Sequence, residues 1–579
     1  MSRRMVSALM MLLLLCSLLP VCAEEAITER ELPLYLHSME FEDKIHLVFF
    51  DGHEDIPYIS AEEMARLMNL IWHDFGEDEG FHVTLQNLNP NALLVRENGT
   101  DAYIDFENSM VSFGQYDKFF SWSAGANMLD LVSIGGVNKN AEDKPDLLIH
   151  DSVFECNGND TVLTLQEYSI STPVKNGVGY LPLQTFSDLF ISASGLAICY
   201  NGDLVAIGTN ASFKNELEEL TELGRMYYSV PIRPRSEALI EFTLNELCLA
   251  LDFHYGLKEE HGIVSFRDYL IRSGLLTGLT DADAKASTAA LARLCTNHFA
   301  DNHSSVMMAS PYMDYTEPLL SFNDLSLGQF ERIANIGTYY AARARFYPEY
   351  VPGYEEIGNT AYVTFDSFTM DLEKDYYTAG SDDDEYTSDT SDVIGLLIYA
   401  NRQINRENSP IENVVIDLSN NGGGMADVAV CVCSWALGIS AVNVQDMNTG
   451  AKSVTIYSFD ANANHVYNES EDSVNKKNLF CLISPLSFSC GNLVPATFKA
   501  SGKVTLLGKT STGGTCTIQF LSAADGTMFC VSGRKRVNTV NNGVFYSVDA
   551  GVEPHYYLPK AEMLYDRQKL TDYINSLMW

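Results

Sequence analysis

The run NVVIDLSNNGGG (413–424), followed by SPLSFSCGN (484–492) and LLGKTSTGG (506–514), decides how this chain is read. A short apolar run entering a glycine cluster predicts a buried strand that ends in a loop whose backbone approaches something closely. Ser489, set among small residues just after a second apolar run, has the character of a nucleophile presented at a strand-to-helix turn.

At 579 residues the chain is too long for a single core, and two to four domains are expected. A hydrophobic fraction of 46% and a mean hydropathy of −0.05 describe ordinary globular material. The net charge of −40 disfavours nucleic acid and anionic membrane surfaces as partners, because phosphate binding needs clustered Lys and Arg. Residues 1–23 read as a signal peptide: Arg3 and Arg4 precede an uncharged apolar core, and Val21-Cys22-Ala23 fits a small-residue cleavage site. Bulky Val21 speaks against a lipoprotein signal at Cys22. No later apolar run is long enough to span a bilayer, so a secreted or cell-surface protein is expected. Its ten remaining cysteines show no disulfide framework, and Cys431 and Cys433 in an apolar helical run read as free buried thiols. No CxxC pair or HExxH occurs, so no metal site and no cofactor are expected.

From 24 to 208 short strands and turns surround two similar units, IPYISAEEMARLMNLI (56–71) and GYLPLQTFSDLFISAS (179–194). In each, a strand leads through a polar residue into a helix, and Ser60 with Glu63 has capping-box spacing. Residues 209–235 read as a linker carrying one charged helix (212–224). Apolar residues then recur at helical spacing over 236–300, up to Asp301-Asn302-His303-Ser304. Beyond a strand in 358–368 and an acidic loop (371–392), strands alternate with helices to a C-terminal helix over 566–578. That alternation predicts an α/β sheet domain. The whole is multidomain, α/β and α+β: a small N-terminal α+β module, a helical part (236–305), and a C-terminal α/β part (306–579).

DNHS (301–304), VVIDLSNNGGG, SPLSFSCGN, LLGKTSTGG and SVDAGVEP (547–554) stand in the order and approximate spacing of a known family. The chain resembles the tail-specific or C-terminal-processing serine peptidases, and especially their tricorn-core-like branch, over about 236–559. The two N-terminal units resemble the small α+β module of copper amine oxidases and bacterial surface proteins, which implies an accessory domain.

The main resemblance implies a crotonase-like or ClpP-like α/β peptidase domain that cleaves peptides or proteins by acyl transfer, and it leaves oligomerisation open. It implies Ser489 as nucleophile rather than Ser487 or Cys490, and His303 as base rather than His298. It implies Asp549 as the group orienting that base, with backbone N–H of Gly423 or Gly424 and of Cys490 stabilising the oxyanion. Asp417 would be structural. A Ser residue needs such a base at neutral pH, and a developing oxyanion needs fixed donors. The C-terminal-processing branch uses a Ser–Lys dyad, yet the matching loop here, TSTGG (510–514), has no Lys, and Lys509 reads as a surface residue. A PDZ domain is not recognisable, and His555 replaces the family's common Asp. Two other readings stay open: an inactive binding protein on the same fold, or a cell-surface protein acting through residues 24–208.

Overall fold

A computed structural model describes residues 27–39, 42–74, 82–121, 146–215, 217–372, 374–377, 390–541, 544–546 and 548–577. The expected signal peptide and most of the acidic loop lie outside them. At the centre of the C-terminal part is a six-stranded sheet whose strand order follows the chain: Tyr354–Ile357, Thr360–Thr364, Asn413–Asp417, Asn478–Ile483, Val504–Gly508 and Tyr556–Tyr557. The first pair is antiparallel and the rest are parallel. The helices Val393–Asn405, Ala426–Leu437 and Cys490–Ser501 make the crossovers.

Both faces of this sheet are covered, which is why its strands read as continuous apolar runs. Val414, Ile416, Cys481 and Ile483 pack with the crossover helices. Their neighbours Val415, Phe480 and Leu482 point the other way, against Tyr339, Leu564, Tyr565, Leu570 and Ile574 from the helices Leu327–Ala344, Glu562–Tyr565 and Arg567–Leu577. Cys431 and Cys433 are free and buried in the crossover helix Ala426–Leu437, as expected from the sequence. The loops after the parallel strands, at 418–424, 484–489 and 509–514, lie together at the carboxyl ends of those strands, where doubly covered α/β sheets place their sites.

A second sheet joins Ser305–Met308, Met528–Asn541, Ser440–Asp446, Lys452–Phe459 and Leu148–Cys156, with Cys516–Ser522 beside Met528–Asn541. Leu148–Cys156 thus crosses the proposed division of the chain at 208, 235 and 305: it leaves the N-terminal part to pair with Lys452–Phe459. The rest of the N-terminal part forms a seven-stranded and a five-stranded sheet. Its two similar units are joined directly, Leu181 opposite Ile59. Ser60 Oγ accepts the Glu63 N–H at 3.3 Å, ahead of the helix Ala61–Asp74.

The charged linker helix expected over 212–224 does not form. Two short helices, Asn210–Phe213 and Glu222–Tyr227, flank a turn organised by Asn215, whose Oδ1 accepts from Leu217 N and Glu219 N. A side chain that binds the backbone locally competes with the helix, and Thr221 then caps a new one by accepting from Gly224 N at 3.0 Å. The helical part holds to expectation. Ser236 caps Glu237–His254, and Phe266–Ser273 and Ala284–Arg293 follow. Between Met308 and Tyr354 the chain forms the turn Phe322–Asp324 and the helix Leu327–Ala344. Among the described residues no helix is long and apolar enough to cross a membrane.

One buried ion pair anchors the C-terminal helix to the central sheet: Arg567 Nη2 lies 2.5 Å from Asp417 Oδ2, both side chains almost fully enclosed. Burial works against the Arg567 charge, but the Asp417 carboxylate holds its pKa above the ordinary value. Arg567→Met alone leaves a buried carboxylate uncompensated and should cost about 3–5 kcal/mol in urea unfolding. Adding Asp417→Asn should recover part of that loss; an equal or larger loss in the double variant would contradict the account.

Candidate active site

Ser489 stands between the strand Asn478–Ile483 and the helix Cys490–Ser501 with φ 56° and ψ −123°. A left-handed conformation in a non-glycine residue stores about 1–3 kcal/mol and persists only where its surroundings enforce it. Those surroundings are the other two loops. The Ser489 N–H donates to the Gly513 carbonyl at 2.9 Å, and its carbonyl accepts from Asn492 and Leu493. Gly423, at φ +112°, packs so closely that an added Cβ would lie 2.7 Å from Ser489 Cβ.

Two asparagines that sequence reasoning passed over join the loops. Asn421 is fully buried. Its carbonyl accepts from Phe488 N at 3.1 Å, its Nδ2 donates to Phe365 O, and its Oδ1 accepts from Gly423 N at 2.9 Å. Asn492, equally buried, accepts from Ser511 Oγ at 2.6 Å and donates to Val548 O at 3.2 Å. Ser511 Oγ in turn takes the Val552 N–H at 2.7 Å. Four motifs are knitted together in this way. The signal for Asn421 and Asn492 was the side-chain amide inside each motif, but an amide in a loop is too common to single out.

The other candidates are accounted for around this knot. Ser487 Oγ donates to Leu418 O and accepts from Ser484 N, which makes it a brace between loops. Cys490 Sγ donates to Gly424 O at 3.2 Å, and burial pushes its thiol up to about 12, far from a thiolate at neutral pH. Asp417 accepts from Ser419 N and holds Arg567, a structural place as expected. Lys509 has Nζ 5.9 Å from the Tyr557 ring. His555 receives an explanation that the sequence lacked: its Nδ1 accepts the Leu506 N–H at 2.9 Å while its own N–H donates to Leu506 O. It stitches the edge strand to the sheet.

His303 reaches the site from the helical part. Its ring lies 4.7 Å from that of Phe488, the residue before Ser489. The ring is enclosed, 5% exposed, and neither nitrogen has a hydrogen-bond partner. Asp301 shapes its loop by accepting from His303 N and Ser304 N. Burial lowers the His303 pKa below 6.5, and the Asp301 and Asp549 carboxylates pull the other way without cancelling it. Asp549 Oδ1 accepts from Thr515 N at 3.1 Å, and its carbonyl packs directly on Gly513, the acceptor of the Ser489 N–H. His303, Ser489 and Asp549 therefore share one neighbourhood. His298 stands apart, with Nδ1 3.2 Å from the Tyr269 hydroxyl.

Two backbone donors were expected near Ser489, one from Gly423 or Gly424 and one from Cys490. The Gly423 N–H is occupied by Asn421. Gly424 bridges to Phe368 through its neighbours, Gly423 O and Met425 N, and not through its own N–H. In the first turn of the helix Cys490–Ser501, Gly491 N–H goes to Phe488 O and the next two to Ser489 O, so Cys490 N–H is the donor left at the helix N-terminus. A cleft of about 170 Å³ opens alongside, lined in part by Asn302, Gly422, Phe488 and Thr512. Among the described residues no group of three or more His, Cys, Asp and Glu side chains suited to a metal ion occurs.

Residues 359–558 match the model of peptidase family S41. The resemblance drawn from the motifs holds for that segment, which contains four of the five, with DNHS ahead of it. No curated protein matches the chain. Among solved structures, the photosystem II D1 C-terminal processing protease is 18% identical over 35% of this chain and 43% of its own, with a TM-score of 0.25. The chain thus spans less than half the length of that protease. A putative peptidase from Parabacteroides merdae ATCC 43184 is 15% identical over 59% of this chain and 97% of its own, at 0.40. The tricorn protease is 13% identical over 43% and 19%, at 0.24.

Gly423→Ala should cost about 1–3 kcal/mol in urea unfolding, because the methyl meets Ser489 and φ is left-handed. Gly422→Ala, where an added Cβ meets nothing within 4 Å, should cost under about 0.5 kcal/mol. Equal losses at the two positions would mean that the contact with Ser489 constrains nothing.

Proposed function

We propose that the chain is an exported serine peptidase in which Ser489 is the nucleophile, His303 the general base and Asp549 the nearby carboxylate that favours the imidazolium as it forms. The observation that carries this reading is the strained Ser489 turn with the enclosed His303 ring packed against the neighbouring Phe488. Ser489 Oγ attacks the scissile carbonyl while its proton passes to His303. Cys490 N–H and the Gly424 N–H stabilise the oxyanion, the Gly423 N–H being taken by Asn421, aided by the positive end of the helix Cys490–Ser501. His303 then hands its proton to the leaving amine, and water releases the acyl group by the same route in reverse.

A Ser–Lys dyad is disfavoured because the loop 510–514 contains no lysine and Lys509 pairs with the Tyr557 ring. A base must be neutral to accept a proton, and burial keeps His303 in that form at neutral pH. Ser489→Ala should abolish labelling by a fluorophosphonate and hydrolysis of a denatured protein substrate. His303→Ala should lower kcat by roughly 10⁴-fold. Unmutated chain that is neither labelled nor cleaves a broad peptide library would overturn the reading in favour of a binding protein.

The pH dependence has a definite sign. His303 protonates at a pH below the ordinary 6.5, so the acid limb of kcat/KM should fall below pH 6.5. Stability should follow the same sense for His254, buried with its pKa lowered to about 3 by desolvation and then by Arg534. Its contribution is complete above 6.5, where folded and unfolded forms are both neutral, and is lost progressively as pH falls toward 3. An acid limb above pH 6.5 would assign the base elsewhere.

A further inference from the structure

The loop between the strands Lys452–Phe459 and Asn478–Ile483 carries a motif that the proposed chemistry leaves unused. It reads DANANHVYNESED (460–472): Asp460, Asn462 and Asn464 alternate with alanines, and Glu471 stands at the twelfth position. That is the ligand spacing of a calcium-binding loop, D-x-[DN]-x-[DN]-G-x5-E, with His465 where glycine is usual. Glycine serves there to make a sharp left-handed turn, and His465 makes the same turn at φ 69°. Its ring stacks on that of Tyr377 at 4.0 Å.

The loop closes around two buried carboxylates. Asp460 is fully enclosed; its Oδ1 accepts the Asn464 N–H at 3.2 Å, and its Oδ2 accepts the His465 N–H at 2.8 Å and the Tyr377 hydroxyl at 3.2 Å. Asp472, only 2% exposed, takes the Glu469 N–H on Oδ2 at 2.9 Å. Its carboxylate lies against the Asn462 N–H and close enough to Asp460 for the two charges to repel. Asp472 Oδ1 has no hydrogen-bond partner, nor has Asn462 Oδ1, and both atoms are buried. Among the described residues no Lys or Arg pairs with either carboxylate. Glu471, by contrast, is exposed and accepts from Ser470 Oγ at 2.9 Å. Buried acceptors without a donor, beside two like charges without a counter-ion, lack a cation. Oxygens alone, from carboxylates and an amide, suit a hard one.

We propose that residues 460–472 bind a calcium ion through Asp460, Asn462 Oδ1 and Asp472 Oδ1, with Asp472 taking the closing place one position after Glu471. The site is independent of the peptidase reading. Neither HExxH nor CxxC spacing describes it, because every ligand is an oxygen. Loop carbonyls and water complete the shell. The ion also fastens the start of the strand Leu148–Cys156, since the Asp460 N–H donates to Leu147 O at 2.9 Å and the Tyr467 hydroxyl donates to Asp146 O.

Terbium, which takes calcium sites and luminesces when a nearby tyrosine is excited, is titrated into the full chain and displaced with calcium. Tyr377 and Tyr467 should sensitise the signal, and calcium should displace it with a dissociation constant of about 10⁻⁴–10⁻³ M. Asp460→Asn combined with Asp472→Asn should weaken calcium binding by roughly tenfold or more. Asn462→Asp, which adds a charge at a ligand position, should tighten it by about tenfold, a gain that can be read whether or not the double variant folds. Glu471→Gln should change it by less than about twofold. Hydrogen exchange over 148–156 should slow when calcium is added. No saturable binding up to about 10⁻² M calcium, binding that survives the double variant, or weaker binding by Asn462→Asp would overturn the site. A loss in Glu471→Gln as large as that in the double variant would overturn the ligand set, and unchanged exchange would overturn the link to the strand.

Discussion

Everything near Ser489 depends on one close approach. Gly423 lies where any side chain would meet Ser489, and Gly513 lies where any side chain would meet the Asp549 carbonyl. Gly423 packs on the serine turn directly, while Gly513, packed on Asp549, accepts the Ser489 N–H; both hold the turn in its left-handed conformation. A side chain held in this way has its conformation fixed by folding, and no further entropy is spent in orienting it. The strain is local, and the hydrogen bonds of Asn421 and Asn492 hold it in place.

The motif order made the central sheet legible, because buried parallel strands are continuous apolar runs and each ends in its own glycine or serine loop. Val414 to Ile416 and Leu479 to Ile483 could hardly be read otherwise. The nucleophile candidate was legible for the same reason. What could not be read was how loops far apart in sequence use side-chain amides: Asn421, Asn492 and Asn420 look alike in a string of letters, yet two are saturated and one is left with an open donor. The linker failed for a related reason. Its composition suits a helix, but Asn215 bonds its own backbone and stops one. His555 shows the converse, a departure from the family pattern that becomes intelligible only through its partner, Leu506.

The division of labour within the site follows the topology. The sheet edge contributes the serine, the glycines and the strap 510–514, all on loops that close on one another. The histidine comes from outside the sheet and is held mainly by packing, with its ring against Phe488 and no hydrogen bond at either nitrogen. The first set is fixed by many bonds; the DNHS loop is bonded too, to Asp301 and to Met528–Asn541, so only the imidazole ring itself is held by shape.

The strand Leu148–Cys156 gives the chain a particular order of assembly. Ser152 and Thr455, joined by a hydrogen bond across the pairing, are 303 residues apart. During synthesis the earlier strand must wait, unpaired, until most of the chain has been made, since so distant a pairing cannot reward the loop it closes any sooner. Until then both of its edges are templates for pairing with another chain. In the finished protein it pairs with Lys452–Phe459 on one side and remains the last strand of the second sheet, so a nick between residues 156 and 452 need not separate the two segments.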